Sequence, residues 1–387
     1  MSRKVQKLEY YKFGRQYFGP FLLGYTRWLI DKIDNEKLDQ VFFFSRDGYM
    51  MEKAFDILKS DKAKNKYVYF SRKSIRQALF CNCNTYQETL KYLNTERYIS
   101  LGKMLEYYGF NEQEMKELSI INGWDLLKDY EFNKLDENEF IKGVYECLKS
   151  TIIKRSKEQD VLLKAYIDQI DMSDRCAIVD IGWHGSMQYY LEKYFEIHEM
   201  DVELSGFYVG IIPKEGLKGN VYGFLYDKKD QRLRKSVLCF FGGYEKLFQS
   251  LEGSTHSYKW LYGQVIPVLN IYEYKDQGII ISNITEWQRG AIDYVIENKD
   301  IEQDNREMAK GLIRVGKSPT LREIELFKFF YNTDGIKEFY ISQKPLYKYG
   351  PKEFVHALSN SVWKTGFLKS IFKIPFPYYW IYKVMKK

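Results

Sequence analysis

The chain is short of several things, and each shortage excludes something. Its five cysteines, Cys81, Cys83, Cys147, Cys176 and Cys239, are scattered over 387 residues. Cys81-Asn82-Cys83 is a CxC, and no second pair completes a zinc site. Reduced thiols in a cytosolic compartment are therefore expected. Only four histidines occur, His184, His198, His256 and His356, and no two of them have zinc-site spacing. No apolar run reaches the ~18 residues that span a bilayer. The opening MSRKVQKLEYYKFG lacks the apolar stretch of a signal peptide. The net charge of +7 is small for this length. It suits anionic substrates or an anionic membrane surface, and is too diffuse to argue for nucleic acid.

What is present reads as a globular chain. Hydrophobic residues make up 45% and charged residues 29%, enough for a sizeable core in one domain with appendages or in two. The 34 tyrosines fit sugar-stacking surfaces, or a biased base composition. Residues 5–35 carry helical spacing, with a break expected near Gly19-Pro20. LDQVFFFSRDGYMMEKAFDILKS then reads as strand, tight loop and helix. Val41 to Phe44 is continuously apolar, as suits a strand buried on both faces. A second strand is expected over Tyr67–Phe70, completing a βαβ unit. From 76 to 170 the pattern turns helical. RCAIVDIG, a helix over 186–196 and ELSGFYVGII resume the α/β pattern. A Gly-rich polar segment follows through FFGGYEKLFQSLEGSTHSY. The expected class is α/β: a parallel sheet flanked by helices, built from 1–75 and 171–265. Residues 76–170 form a helical insertion, and 266–387 a mainly helical C-terminal region. The tail from Trp363 to Lys387 carries six lysines, no acid and many aromatics. That mixture suits peripheral contact with a membrane interface. A terminal helix covering the core is the other reading, and Pro375 and Pro377 break any long amphipathic helix.

Three expected strand ends gather polar residues: Ser45-Arg46-Asp47-Gly48-Tyr49, Ser71-Arg72-Lys73-Ser74, and Asp180 through Ser186. Ligands of an open parallel sheet bind outside the carboxyl ends of its strands, so the three segments are expected on one rim. A loop with Gly182, Gly185 and Ser186 ahead of a helix offers backbone N–H groups and a hydroxyl to phosphate. Asp180 is placed to hold sugar hydroxyls or a metal ion. Arg46, Arg72 and Lys73 bring cations for phosphate oxygens. Arg46 is expected to keep Asp47 ionised, and Gly48 to supply a positive φ. Trp183 either stacks on a sugar or wedges the loop, and His184 touches phosphate or acceptor. Taken singly, SRDG is also a type I turn and SRKS a solvated loop. Taken together, the segments suit a sugar bearing phosphates at both ends.

The strand-loop-helix around Asp180 resembles the ribose-phosphate loop of type I phosphoribosyltransferases. FFFSRDG stands where that family has its pyrophosphate loop, and FSRKS where it carries a basic residue near pyrophosphate. FFFSRDGYM, YFSRKS, VDIGWHGSMQ and GYEKLFQSLEGSTHSY are more closely similar to a group of bacterial surface-polysaccharide proteins. Those are often labelled as haloacid-dehalogenase-like hydrolases, and some resemble ribofuranosyltransferases that use phosphoribosyl pyrophosphate (PRPP). The resemblance implies transfer of ribose 5-phosphate from PRPP to a sugar hydroxyl of an O-antigen or capsule glycan. It further implies Mg²⁺ held by Asp180, a glycan acceptor (expected to be lipid-linked) and a separate phosphatase. The donor would be bound by Ser45, Arg46, Gly48, Tyr49, Arg72, Lys73, Asp180, Gly182, Trp183, His184, Gly185 and Ser186. Asp47 is the first candidate base, with Glu245 and Glu252 as others. The chain departs from the type I pattern in having Ile181 after Asp180 and a shorter loop. The hydrolase label lacks its Asp-x-Asp nucleophile. A nucleotide-sugar glycosyltransferase, a phosphohydrolase and a non-catalytic PRPP-binding protein are the alternatives. The expected location is the cytoplasm, with peripheral contact at the inner face of the membrane.

Overall fold

Side chains alternate along an extended backbone, so Val41 and Phe43 leave one face of a strand, and Phe42 and Phe44 the other. In the computed structural model, which describes residues 3–59, 64–93, 97–334 and 336–385, all four are buried. They enter two different cores. The strand is β1 (Gln40–Phe44). It joins β2 (Lys64–Val68), β3 (Asp174–Trp183), β4 (Val202–Ile211) and β5 (Asn220–Tyr226). All pairings are parallel, in the order β2-β1-β3-β4-β5. The expected α/β class with a parallel sheet flanked by helices is what the chain adopts.

Strand β2 lies earlier than Tyr67–Phe70. Its ladder runs from Lys64 opposite Gln40 to Val68 opposite Phe44, and Ser45 N–H then closes on the Val68 carbonyl at 2.8 Å. Tyr69 and Phe70 instead lead into Ser71, whose hydroxyl caps the next helix. Strand β5 was not anticipated from the sequence.

One face of the sheet is covered by α1 (Arg3–Phe13), α2 (Gly19–Glu36) and α3 (Gly48–Leu58). The break expected at Gly19-Pro20 is absent. A π turn over Gly14–Phe18 joins α1 to α2, and Pro20 falls in the first turn of α2, where its missing N–H has no partner to lose. The other face carries α4 (Arg72–Leu79), α5 (Glu139–Gln169) and α6 (Ser186–Ile197).

Helix α5 serves two cores. Ile141, Tyr145 and Ile152 pack with Phe80 and Tyr108 in a separate cluster, whereas Leu163, Tyr166 and Ile167 pack on the sheet. The insertion thus shares a helix with the main layer. It also contains a short antiparallel pair, Tyr98–Ser100 with Asp129–Glu131, in a stretch expected to be helical. Ile99 and Tyr130 bury one side of that pair.

The Gly-rich polar segment has regular structure. It forms α7 (Phe241–Phe248) and then a hairpin, Thr255–Leu261 with Gln264–Leu269. Its glycines mark close packing: a Cβ on Gly243 would stand 2.1 Å from the Phe240 ring. The C-terminal region is mainly helical, as expected. Its α8 (Gly278–Glu297) and α9 (Asn305–Lys317) share the core of α1 and α2 through Ile284, Trp287 and Leu312. Two shorter helices, Lys364–Phe372 and Tyr378–Met385, end the described chain. Of the six tail lysines, Lys386 and Lys387 lie outside the described residues, as do Met1 and Ser2. All five cysteines are free. No helix among the described residues is long and apolar enough to cross a membrane.

The contact of α1 with α8 gives a test of this packing. A Cβ on Gly14 would lie 1.9 Å from the Trp287 carbonyl oxygen, so backbone must move to admit it. Gly14→Ala is expected to destabilise by about 3 kcal/mol or more, read as a lowered thermal midpoint. Gly143, in α5, meets nothing within 4 Å. Gly143→Ala is expected to leave the midpoint unchanged or raise it slightly, by up to ~1 kcal/mol in helix propensity.

Candidate functional site

The chain reverses its order of strand addition between β1 and β3. From β1 it steps outward to β2, and from β3 it builds the other way through β4 and β5. Connections diverge at such a switch point and leave a crevice at the carboxyl ends of the two strands. A cleft of about 320 Å³ lies there, at the small end of ligand-site sizes.

All three segments singled out in the sequence reach it. Ser45, Arg46 and Asp47 line it from the loop after β1, Ser71 and Arg72 from the start of α4. Asp180, Gly182, Trp183, His184 and Ser186 line it from the end of β3 and the start of α6. Glu245 joins from α7. So do Lys246 and Gln249, with Ser254, Glu273 and Asn332 from further on, none of which the sequence reading selected. Lys246 carried no clear signal in the sequence, because Glu245 directly precedes it and the pair reads as a solvated face; it is in fact 3% exposed.

Other expected residues stand elsewhere. Lys73 points away and pairs with Glu106 at 3.7 Å. Glu252 accepts hydrogen bonds from the Tyr67 hydroxyl at 2.6 Å and the Ser250 hydroxyl at 2.8 Å, outside the cleft. Tyr49 is also outside it, its ring edge-on to Tyr67. Gly48 sits in the first turn of α3 and has no positive φ. Glycine is needed there for space, because a Cβ would come 2.9 Å from the Phe43 backbone. Gly185 is buried behind the rim, at the N-cap of α6 with φ 64°.

The end of β3 is shaped by backbone conformation. Gly182, Trp183 and Gly185 all take positive φ, of 105°, 69° and 64°. A Cβ on Gly182 would meet the Gly210 carbonyl oxygen at 2.6 Å. No side chain caps α6, so the first-turn N–H groups at Ser186 and Met187, which border the cleft, are left for a ligand. The Trp183 indole N–H donates to Glu245 Oε1 at 3.0 Å. Its ring is edge-on to Tyr244. The wedge reading of Trp183 describes these contacts.

Charge is crowded. Arg46 donates to Glu273 Oε2 at 2.7 Å, and the Lys246 ammonium donates to Glu273 Oε1. Burial works against ionisation of Glu273, but Lys246 and Arg46 outweigh it and hold the carboxyl down at about 2. Asp47, Asp180 and Glu245 behave in the opposite way. Burial, then the charges of Asp180 and Glu245, push Asp47 well above the usual carboxylate range. Burial is also the main cause that lifts Asp180 to about 6, against backbone N–H groups at Ile181 and Gly182. Glu245 rises by burial, held back by the Trp183 indole and by Lys246. The expectation that Arg46 keeps Asp47 ionised is therefore corrected. Its guanidinium is taken by Glu273, and two neighbouring carboxylates oppose it. The three raised acids titrate as a group.

Among the described residues, no three His, Cys, Asp or Glu side chains are arranged to hold a metal ion by themselves. Magnesium is commonly bound by one or two carboxylates together with substrate phosphates and water. A carboxylate at Asp180 fits an ion shared in that way, not a closed protein cage. No protein-family model matches the chain, and a search of curated proteins found no match.

Asp180 gives the test of these electrostatics. A carboxyl raised from 3.8 to about 6 stabilises the fold fully below pH ~4, and that contribution is lost as pH rises through about 6. Asp180→Asn removes the buried charge. The variant is expected to be more stable than the parent at pH 7.5 by about 1–3 kcal/mol, with no gain at pH 4. Denaturant melts at the two pH values read the difference.

Proposed function

We propose that the protein is a phosphoribosyltransferase-like glycosyltransferase that moves ribose 5-phosphate from PRPP to a sugar hydroxyl of a bacterial surface glycan. The observation that carries this reading is the charge arrangement of the switch-point cleft. Phosphate-compatible groups from separate elements line it together with a cluster of carboxylates. Uncapped amides at Ser186 and Met187, with the Ser186 hydroxyl, suit a 5-phosphate. Arg72, which makes no ion pair with a described residue, suits the diphosphate together with Arg46 and Lys246.

The cleft holds four acids, Asp47, Asp180, Glu245 and Glu273, against three cations, Arg46, Arg72 and Lys246. Fully ionised, it carries one net negative charge. A polyanion enters such a site only with a divalent cation or with protons taken up by the raised carboxyls. Asp180, with water and the donor's own phosphates, would hold Mg²⁺ in the cleft. Bound there, the ion supplies charge neutralisation for the leaving diphosphate. Arg72 and Lys246 add to that stabilisation, and the loop over Gly182–Ser186 fixes the ribose.

In the reaction, the acceptor oxygen bonds to the anomeric carbon as its bond to diphosphate breaks. The hydroxyl proton passes to a carboxylate. Attack opposite the leaving group inverts the α donor to a β product. Asp47 is the base: its raised proton affinity makes it strong once ionised. Glu245 is the second candidate, held by Trp183 at the cleft edge, whereas Glu252 is committed to Tyr67 and Ser250. The product keeps its 5-phosphate, which a separate phosphatase would remove. A lipid-linked acceptor would be met at the inner face of the membrane. The exposed Phe372, Ile374, Phe376 and Trp380 beside Lys369 and Lys373 suit such peripheral contact.

The test is to incubate the pure protein with PRPP, Mg²⁺ and glycan acceptors, and to follow pyrophosphate and a product heavier by one ribose phosphate. Asp47→Asn is expected to lower kcat by roughly 10²–10⁴-fold. Its affinity for PRPP should change only a few-fold. Calorimetry that detects no heat from PRPP with Mg²⁺, or transfer from UDP-sugars alone, would overturn the proposal.

A further inference from the structure

A second cavity of about 460 Å³ opens beside the cleft and shares two of its walls, Trp183 and His184. Its charge is one-sided. Arg234, Lys235 and Lys364 line it, and no carboxylate does. Among the described residues, Arg234 donates to the neutral Gln231 side chain, at 3.2 Å, and makes no ion pair. Lys235 is exposed and makes no ion pair with a described residue. Lys364 donates to the carbonyls of Ser359 and Ser361. Arg234 and Lys235 are cations with no acid in the lining; they repel one another, and an anion placed beside them relieves that repulsion. Aromatic surface completes the cavity, from Phe241 and Tyr382 as well as Trp183. Flat apolar rings beneath charged or polar groups are the surface on which a sugar ring rests.

The partition between the two cavities is itself unusual. Trp183 holds φ 69°, a left-handed conformation that is strained for a bulky residue. That conformation sets the indole between the cavities, with its N–H on Glu245. Any group crossing from the second cavity into the first passes Trp183, His184 and Glu245.

The geometry points to the second cavity as the acceptor subsite, for a sugar unit bearing an anionic group beside its reacting hydroxyl. This rests on reading the first cleft as the donor site. Two sources supply that anion: the carboxylate of an acidic sugar, or the diphosphate that joins a glycan to its carrier lipid. Arg234 and Lys235 grip the anion, the aromatic rings seat the sugar, and the hydroxyl reaches past Trp183 towards the carboxylates.

The experiment is calorimetry on the full chain without PRPP, using three probes. They are methyl β-glucoside, methyl β-glucuronide, and an octyl diphosphate ester of N-acetylglucosamine. At least one anionic probe is expected to bind ten-fold or more tightly than the neutral glucoside, and the arm that binds identifies the source of the charge. Arg234→Ala/Lys235→Ala is expected to weaken that binding at least ten-fold while the PRPP affinity stays within two-fold. Lys235→Glu, on an exposed side chain, repeats the test if the double variant melts early. Equal binding of neutral and anionic probes, or wild-type affinity in these variants, overturns the inference. PRPP binding does not enter the measurement, so failure of the donor reading and failure of this subsite give different results.

Discussion

Glu273 holds two buried cations at once, and the chemistry of the cleft depends on that bridge. Arg46 and Lys246 lie on opposite sides of it, one in the loop after β1 and one in α7. By pairing with both, Glu273 offsets part of their charge. Burial, with the mutual repulsion of Asp47, Asp180 and Glu245, then outweighs what Arg46 and Lys246 still exert on Asp47 and Glu245, and all three acids are raised. A buried ion pair is weak evidence for stability, since desolvation offsets most of the attraction. Its consequence here is electrostatic: a pocket that carries cations yet still holds carboxylates of raised proton affinity.

Holding such a pocket open requires rigid supports, and the aromatic cores supply them. Asp180 is near the end of a strand buried on both faces, and Asp47 stands at the N-cap of α3. Glu245 is in α7, whose start is pinned by the Tyr340 hydroxyl donating to the Gly242 carbonyl at 2.6 Å. Phe240, just before α7, packs its ring 4.5 Å from that of Trp363. The C-terminal region therefore positions the site as well as contributing Glu273 and Asn332 to it.

The sequence revealed the parts that follow from local pattern. Val41 to Phe44 and Cys176 to Asp180 had to be strands buried on both faces, and their polar ends had to share a rim. Chain order says nothing about which distant acid completes a cluster. Glu273 lies in an unpatterned loop, 27 residues after its partner Lys246, so no spacing rule reaches it. Lys73 misled because it follows Arg72 directly. Successive residues on a helix point about 100° apart, so neighbours in sequence need not share a target. Gly48 misled for a different reason. A positive φ was expected there, whereas glycine is needed for close approach to the Phe43 backbone.

The charge count then sets an order of events. An empty, fully ionised cleft would oppose a diphosphate, and a fully protonated one would lack a base. A divalent cation entering with the donor would offset the charge of Asp180, and so relieve one of the repulsions that raise Asp47. Filling the site would thus favour release of the proton that otherwise disables Asp47. A carboxylate raised by burial and by its neighbours is a poor base before the donor arrives and a competent one afterwards. On this reading, the carboxylate cluster couples donor binding to activation of the acceptor. Moving Glu273 away from Arg46 and Lys246 would undo that coupling, by leaving both cations to keep Asp47 ionised before any donor arrives.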